Sequence, residues 1–194
     1  MFVSRSKYEE KEALVRKLEA RVQEALDKID VLINNAGINR LSYINEIDEK
    51  YLDEIYKVNL RGQILMTKQI SKIMIKKRSG KIINISSIFG IVGKSGRSLY
   101  STTKFGLIGL TKSSALDLAK YNILVNSVSP GVINAGLTKK ILNSKEVKKI
   151  KKEIPLNKLG EPSDVSHLVC FLCSGLNTYI TGQNFVIDGG YTSK

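Results

Sequence analysis

Two periodicities alternate along the chain. From Tyr8 to Lys28 the apolar residues Leu14, Leu18, Val22, Leu26 and Ile29 fall three or four positions apart with charge between them, which predicts an amphipathic helix. DVLINNAG (30–37) is instead a short apolar run ending in Asn and Gly, the pattern of a buried strand. The helical period returns over 48–78 at Tyr51, Leu52, Ile55, Val58, Leu65, Ile70, Ile73 and Met74, with Gly80 as its stop. KIINIS (81–86) predicts a second strand, 99–120 a long helix, and ILVNSVS (123–129) a third strand ending at Pro130 and Gly131. A basic, weakly periodic stretch follows to about Leu159. Glu161-Pro162-Ser163-Asp164 opens a helix, with Pro early and an acid in the first turn, and NFVID (184–188) is a fourth strand before Gly189-Gly190.

Continuous apolar strands alternating with helices imply a parallel sheet covered on both faces, an α/β, Rossmann-like arrangement. No repeat, low-complexity tract or linker interrupts it, so residues 1–194 are expected to form one domain. A 42% apolar content excludes disorder, and 194 residues can bury a core without disulfides or metal. No apolar run approaches the ~20 residues of a membrane span, and charge in the first residues leaves no secretory segment. A cytoplasmic chain is expected.

Charge changes this picture little. Lys and Arg number 31 against 18 acids, a net +13, but the lysines are scattered. The densest stretch, 139–152, has seven lysines in fourteen residues and no interleaved aromatic, so a solvated helix face is expected rather than a nucleic-acid site. Cys170, Cys173 and the single histidine, His167, have a spacing that a metal or redox site could use. They lie in a segment that reads as a buried helix, where core packing is the expectation and no metal is implied.

Ligands of open parallel sheets sit at the carboxyl ends of the strands. Three polar clusters fall there: Asn34-Asn35-Ala36-Gly37, Ser86-Ser87, and Pro130-Gly131-Val132-Ile133. The helix after the second strand carries Tyr100 and Lys104, four apart and so on one face. A phenol with a pKa near 10 is a poor acid or base at neutral pH; an adjacent cation lowers that pKa and makes proton transfer useful. A serine hydroxyl nearby can hydrogen-bond a substrate oxygen as its charge changes. YxxxK alone is a weak signal, and both residues could lie on the surface. The ordered set NNAG, Ser87, YxxxK thirteen residues later, then PG is far more specific.

With IDVLINNAGI, VNLRG, GKIINISSIFG, YSTTKFGLIGLTKSSALDLA, ILVNSVSPGVI, IPLNKLGEPSDV and YITGQNFVIDGGY, the chain resembles the short-chain dehydrogenases/reductases from about residue 20 to its end. It is similar to the compact bacterial 3-oxoacyl-(acyl carrier protein) reductases. The resemblance implies hydride transfer between NAD or NADP and a carbonyl or alcohol. It implies Tyr100 as proton donor or acceptor, and Lys104 as the cation beside it and the holder of the nicotinamide ribose. Ser87 would orient the carbonyl, and Asn59 would belong to a water relay toward Lys104. Asn35, within the Asn35-Ala36-Gly37 turn, would contact the adenosine side; the Pro130–Ile133 loop would hold the carboxamide through Ile133. Asn59 has a bland alternative, stabilising a helix irregularity, and the NNAG turn is partly architectural. The resemblance also implies a homo-oligomer, associated through the helices at 48–78 and 99–120.

The TGxxxGIG-type turn of the family, and the strands around it, have no counterpart here, so the sheet is expected to be the family's without its first three strands. GIVGKSG (90–96) does not replace that turn, and a phosphate-binding GxxxxGK[ST] would need glycine where Ile88 stands. Residues 8–28 read either as the helix that precedes DVLINNAG, or as a helix behind a strand end MFVSRS, in which Arg5 would be a remnant of 2′-phosphate recognition. Asn134-Ala135 replaces the polar-Thr pair common after PGVI, and Thr138 would substitute only if the loop shifts. Arg78 matches a carrier-protein docking position whose second member falls at Tyr121, so acyl thioesters and small or sugar-linked alcohols both remain open substrates, as does a non-catalytic relative acting through oligomerisation.

Overall fold

The computed structural model describes residues 5–26, 28–136, 138 and 142–193, with side chains from residue 12 onward except at 23, 25 and 26. The sequence readings that fall on MFVS, on the Arg5 side chain and on Lys139 and Lys140 lie outside the described residues. The elements in chain order are α1 (Arg5–Leu26), β1 (Val31–Asn34), α2 (Glu49–Tyr56), a π-helical turn (Lys57–Arg61), α3 (Gly62–Lys77), β2 (Gly80–Ile85), α4 (Ser98–Ala119), β3 (Ile123–Pro130), α5 (Ser144–Glu153), α6 (Pro162–Cys173) and β4 (Asn184–Ile187). The four strands form one parallel sheet in the order β1-β2-β3-β4.

Strand periodicity sorts the core into two layers. Ile82 and Val125 face Ile70 and Met74 of α3 and Ala115 and Leu118 of α4. Their neighbours Ile83 and Val128 point the other way, onto Leu172 of α6. Both faces are therefore helix-covered, as the continuous apolar strands predict. The register also lines up a polar row, Asn34–Asn84–Ser127–Asn184. Its members satisfy one another and the helices. Asn34 donates to Asn84 (2.8 Å) and to Thr67 (3.0 Å), Asn84 donates to Thr111 (2.8 Å), and Ser127 donates to Asn184 (2.8 Å). Each buried amide is thus compensated, and the row ties β1 to both helices of that face.

Several local expectations are corrected. Gly80 does not stop the preceding helix. That helix ends at Lys77, with Arg78 in the left-handed region (φ 51°), and Gly80 opens β2 because a Cβ there would run into Met74. The basic stretch, by contrast, does hold the expected solvated helix face, α5, whose Asn143/Glu146 capping box closes its first turn. The Cys170–Cys173 helix is only half buried: Leu172 is fully enclosed, whereas Cys170 and His167 are exposed. Helix α1 forms as expected, but its stripe is not covered; Leu14, Val15, Leu18 and Val22 remain about half exposed, between 48% and 57%.

Candidate active site

Because all strands run the same way, their carboxyl ends open on one edge, where the loops after β1, β2 and β3 meet the start of α4. Ser87 follows β2 and caps a short 3₁₀ turn, its hydroxyl accepting from the Phe89 N–H at 3.2 Å. Gly90 in that turn lies so close to α4 that a Cβ would meet the Lys104 carbonyl at 2.9 Å. Ser86 reaches the same carbonyl with its hydroxyl, at 2.9 Å. The Ser87 turn is thereby clamped against the helix that carries Tyr100 and Lys104.

Lys104 is 3% exposed. Its Nζ donates to the Ile85 carbonyl at 2.8 Å and stands 5.6 Å from the centroid of the Tyr100 ring. Burial lowers its pKa to about 8, since desolvation disfavours the ammonium. Burial raises the Tyr100 pKa; a hydrogen bond with the Ser87 side chain and the positive charge of Arg97 oppose that rise. Tyr100 is accordingly a phenol at neutral pH, poised to donate. Arg97, which caps the helix three residues before Tyr100, adds a positive charge near the phenol, while the Lys104 ammonium lies beside the Tyr100 ring and donates to Ile85. Sequence reasoning missed Arg97; its one signal was the i−3 spacing from Tyr100.

Asn59 is fully buried in the π-helical turn. Its side-chain oxygen accepts from the Ile38 N–H (2.8 Å) and its amide donates to the Ile38 carbonyl (2.9 Å) and to Thr103 (3.3 Å). The extra residue of the π turn swings this amide toward the loop after β1, so the irregularity and the clamp are one device. Gln63 adds a bond to the Ala36 carbonyl at 2.8 Å. These bonds hold Gly37 over the lysine: a Cβ there would lie 3.6 Å from Lys104 Nζ and 3.7 Å from Asn59 Oδ1. Asn35 and Ala36 are exposed on the rim, away from Tyr100.

The loop after β3 is fixed from the opposite side. Gly131 donates to the Ile187 carbonyl at 2.8 Å, and a Cβ on it would meet the Asp188 backbone at 2.8 Å. Gly160 donates to the Val132 carbonyl (3.1 Å) and accepts from the Asn134 N–H (2.7 Å). That parallel bridge points the N–H and C=O of Ile133 itself the other way. Asp188, which sequence reasoning left unassigned, orders the C-terminal turn. Burial pushes its carboxyl upward, but bonds from Thr192, Gly190 and Tyr191 outweigh this and hold it below the usual range. Ser87, Tyr100, Gly131 and Thr138 line one cavity of about 310 Å³. Pro130 stays in the sheet, paired with Ile187, while Lys104, with Gly37 close to it, lies beside the Tyr100 ring.

A family model described as enoyl-(acyl carrier protein) reductase matches residues 10–192. The chain belongs to the short-chain dehydrogenase/reductase family. It is 44% identical to a 3-oxoacyl-[acyl-carrier-protein] reductase of Aquifex aeolicus, over 92% of this chain and 72% of that one. A cyclopentanol dehydrogenase of Comamonas testosteroni is 38% identical, over 87% of this chain and 68% of the other. Among solved structures, ElxO with NADP bound superposes with a TM-score of 0.84 at 35% identity, covering 93% of this chain and 74% of its own. 4-Hydroxyisoleucine dehydrogenase complexed with NADH gives 0.85 at 34%, covering 93% and 75%. The short-chain dehydrogenase/reductase fold, a parallel sheet between helical layers, is thus shared with enzymes that carry either nicotinamide coenzyme.

Proposed function

We propose that this short-chain dehydrogenase/reductase interconverts a carbonyl and an alcohol, with Ser87, Tyr100 and Lys104 as its catalytic residues and NAD or NADP as its coenzyme. The observation that carries the reading is the convergence of Ser87 and Tyr100 on one cavity, with the buried Lys104 ammonium 5.6 Å from the centroid of the Tyr100 ring. The coenzyme, when bound, supplies the hydride for reduction or accepts it in oxidation. The residues present suit its nicotinamide half. Gly37 leaves open the space above Lys104 that a side chain would take. The Ile133 N–H faces away from its Gly160 partner, where a carboxamide oxygen could pair with it, the Ile133 carbonyl being engaged by the Ala135 N–H. Asn35 and Ala36 on the rim and Pro130 and Gly131 at the end of β3 frame that half-site.

In the reductive direction the substrate carbonyl accepts hydrogen bonds from Ser87 and Tyr100. As negative charge grows on its oxygen, the Tyr100 hydroxyl gives up its proton, and Ser87 steadies the forming alkoxide. Lys104 Nζ, held by Ile85 O, places its positive charge where it favours the phenolate left behind and where it can donate to the coenzyme ribose. Asn59 is a positioning residue: it fixes the Ile38 peptide and so keeps Gly37 in place over Lys104. A 3-oxoacyl thioester is the second substrate reading, favoured by the 44% identity to the Aquifex enzyme and by Arg78 at the end of α3.

We also propose self-association through α3 and α4, where Ile64, Leu65, Met66, Phe105 and Leu116 are exposed. Fluorescence titration of the 194-residue chain with NADH and NADPH tests the coenzyme assignment; saturable binding is expected, and a folded chain that binds neither overturns it.

A further inference from the structure

Arg97 lines the cavity that also holds Ser87 and Tyr100. Its guanidinium has a nitrogen, Nη1, that is shut off from solvent and donates to no acceptor. No described carboxylate pairs with it: Glu153 is bridged to Lys94 at 3.5 Å, and Glu146, which acts on Arg97 only at longer range, is engaged by the Asn143 N–H in the α5 cap. A half-buried guanidinium without a counter-ion is costly, and a desolvated arginine fork suits a planar oxyanion better than any other group. Helix α5 lays a second cation, Lys149, along the same cavity. Resting on the carbonyl–alcohol reading of this site, we propose that Arg97 binds a carboxylate of the substrate, so that the chain acts on small hydroxy or oxo acids.

The geometry limits the acid. Arg97 caps the helix that carries Tyr100 three residues later, and both line one cavity of about 310 Å³, so the carboxylate and the reacting C–O must belong to one small molecule. Oxidation then removes a hydride from the carbinol carbon to the oxidised coenzyme and the hydroxyl proton to Tyr100, while the carboxylate is unchanged. Lys149, on the cavity wall, contributes attraction rather than orientation.

Calorimetric titration of the full chain with 3-hydroxybutyrate and with uncharged 1,3-butanediol tests the assignment without turnover. The acid is expected to bind at least ~10-fold more tightly than the diol. Arg97→Gln should weaken the acid ~10–100-fold and leave the diol within about twofold, with Arg97→Lys in between. Lys149→Gln should cost the acid only a few-fold and lose that effect at high salt. Equal binding of acid and diol, retention of the preference in Arg97→Gln, no binding of either ligand, or tighter binding of dihydroxyacetone phosphate or acetoacetyl-coenzyme A than of the acid would each overturn the carboxylate assignment. The catalytic reading fails separately, through ordinary turnover in Tyr100→Phe.

Discussion

The two sides of the sheet's open edge are built on different terms. Around Ser87, Tyr100 and Lys104 the main polar contacts are enclosed and tied: Lys104 to Ile85, Ser86 to the Lys104 carbonyl, Asn59 to both ends of the Ile38 peptide, with Arg97 Nη1 left unpaired. At the β1 edge, Ile33 is 47% exposed, and α1 turns an uncovered apolar stripe outward. The first region spends packing and hydrogen bonds on holding a few functional groups at fixed distances. The second contributes helix and strand but little enclosure. Burial lowers the pKa of Lys104 and raises that of Tyr100 in the first region. A change of the same size should therefore have very unequal consequences in the two.

The largest effect is expected on catalysis. Tyr100→Phe removes the proton but keeps the ring, so turnover should fall by at least ~100-fold with an unchanged melting temperature, read from steady-state kinetics and circular dichroism. In the wild type, alcohol oxidation should rise with pH across the neutral to alkaline range, because the raised Tyr100 pKa keeps the phenol protonated; carbonyl reduction should be flatter. A pH-independent oxidation rate limited by chemistry would contradict the assignment.

Next is the polar row. Asn84→Ala leaves the Asn34 amide and the Thr111 hydroxyl without the partner that now joins them, and should destabilise the fold by about 2–4 kcal/mol in urea unfolding. Lys104 has a smaller effect of opposite sign. Below pH 8 the folded and unfolded chains both hold its proton, and the folded state bears the full cost of burying the charge. Between about 8 and 10.5 the unfolded chain binds more protons, so wild-type stability rises with pH. Lys104→Met should therefore be about 2 kcal/mol more stable than wild type at pH 7, an advantage that fades toward pH 10.5. Thermal melts at pH 7, 8.5 and 10 check this. An advantage that grew with pH would reverse the sign of the argument.

The smallest effect is expected on α1. Leu18→Gln, at a residue 48% exposed, should change monomer stability by no more than ~0.5 kcal/mol. A loss as large as that of Asn84→Ala would show that something covers α1 in solution, and would erase the contrast between the two regions.

Much of this contrast was legible in the chain. The switch between periods of two and of three to four residues placed all four strands and helices α1, α3, α4 and α6, because burying one face of a helix or both faces of a strand requires those periods. The spacing of NNAG, Ser87, Tyr100 and Lys104 marked the edge where they meet, since parallel strands bring their carboxyl ends together. Helix α5 was legible only as a solvated basic face without bounds, because its charge hides a weak apolar period; the Asn143/Glu146 capping box fixes where it starts.

Local sequence determined which residues are the candidates for the chemistry and which elements hold them. Only the tertiary structure decided what each one faces. Asn59 became a backbone clamp because a π turn rotates it toward Ile38, and Gly80 became a contact with Met74 rather than a helix stop. The lysine four residues after Tyr100 donates to Ile85 while standing beside the Tyr100 ring, and Arg97 adds a second positive charge near the phenol. Periodicity is a property of the chain and survives in any fold that buries it. Charge coupling depends on distance and solvent exclusion between segments remote in sequence, and these exist only once the elements are packed.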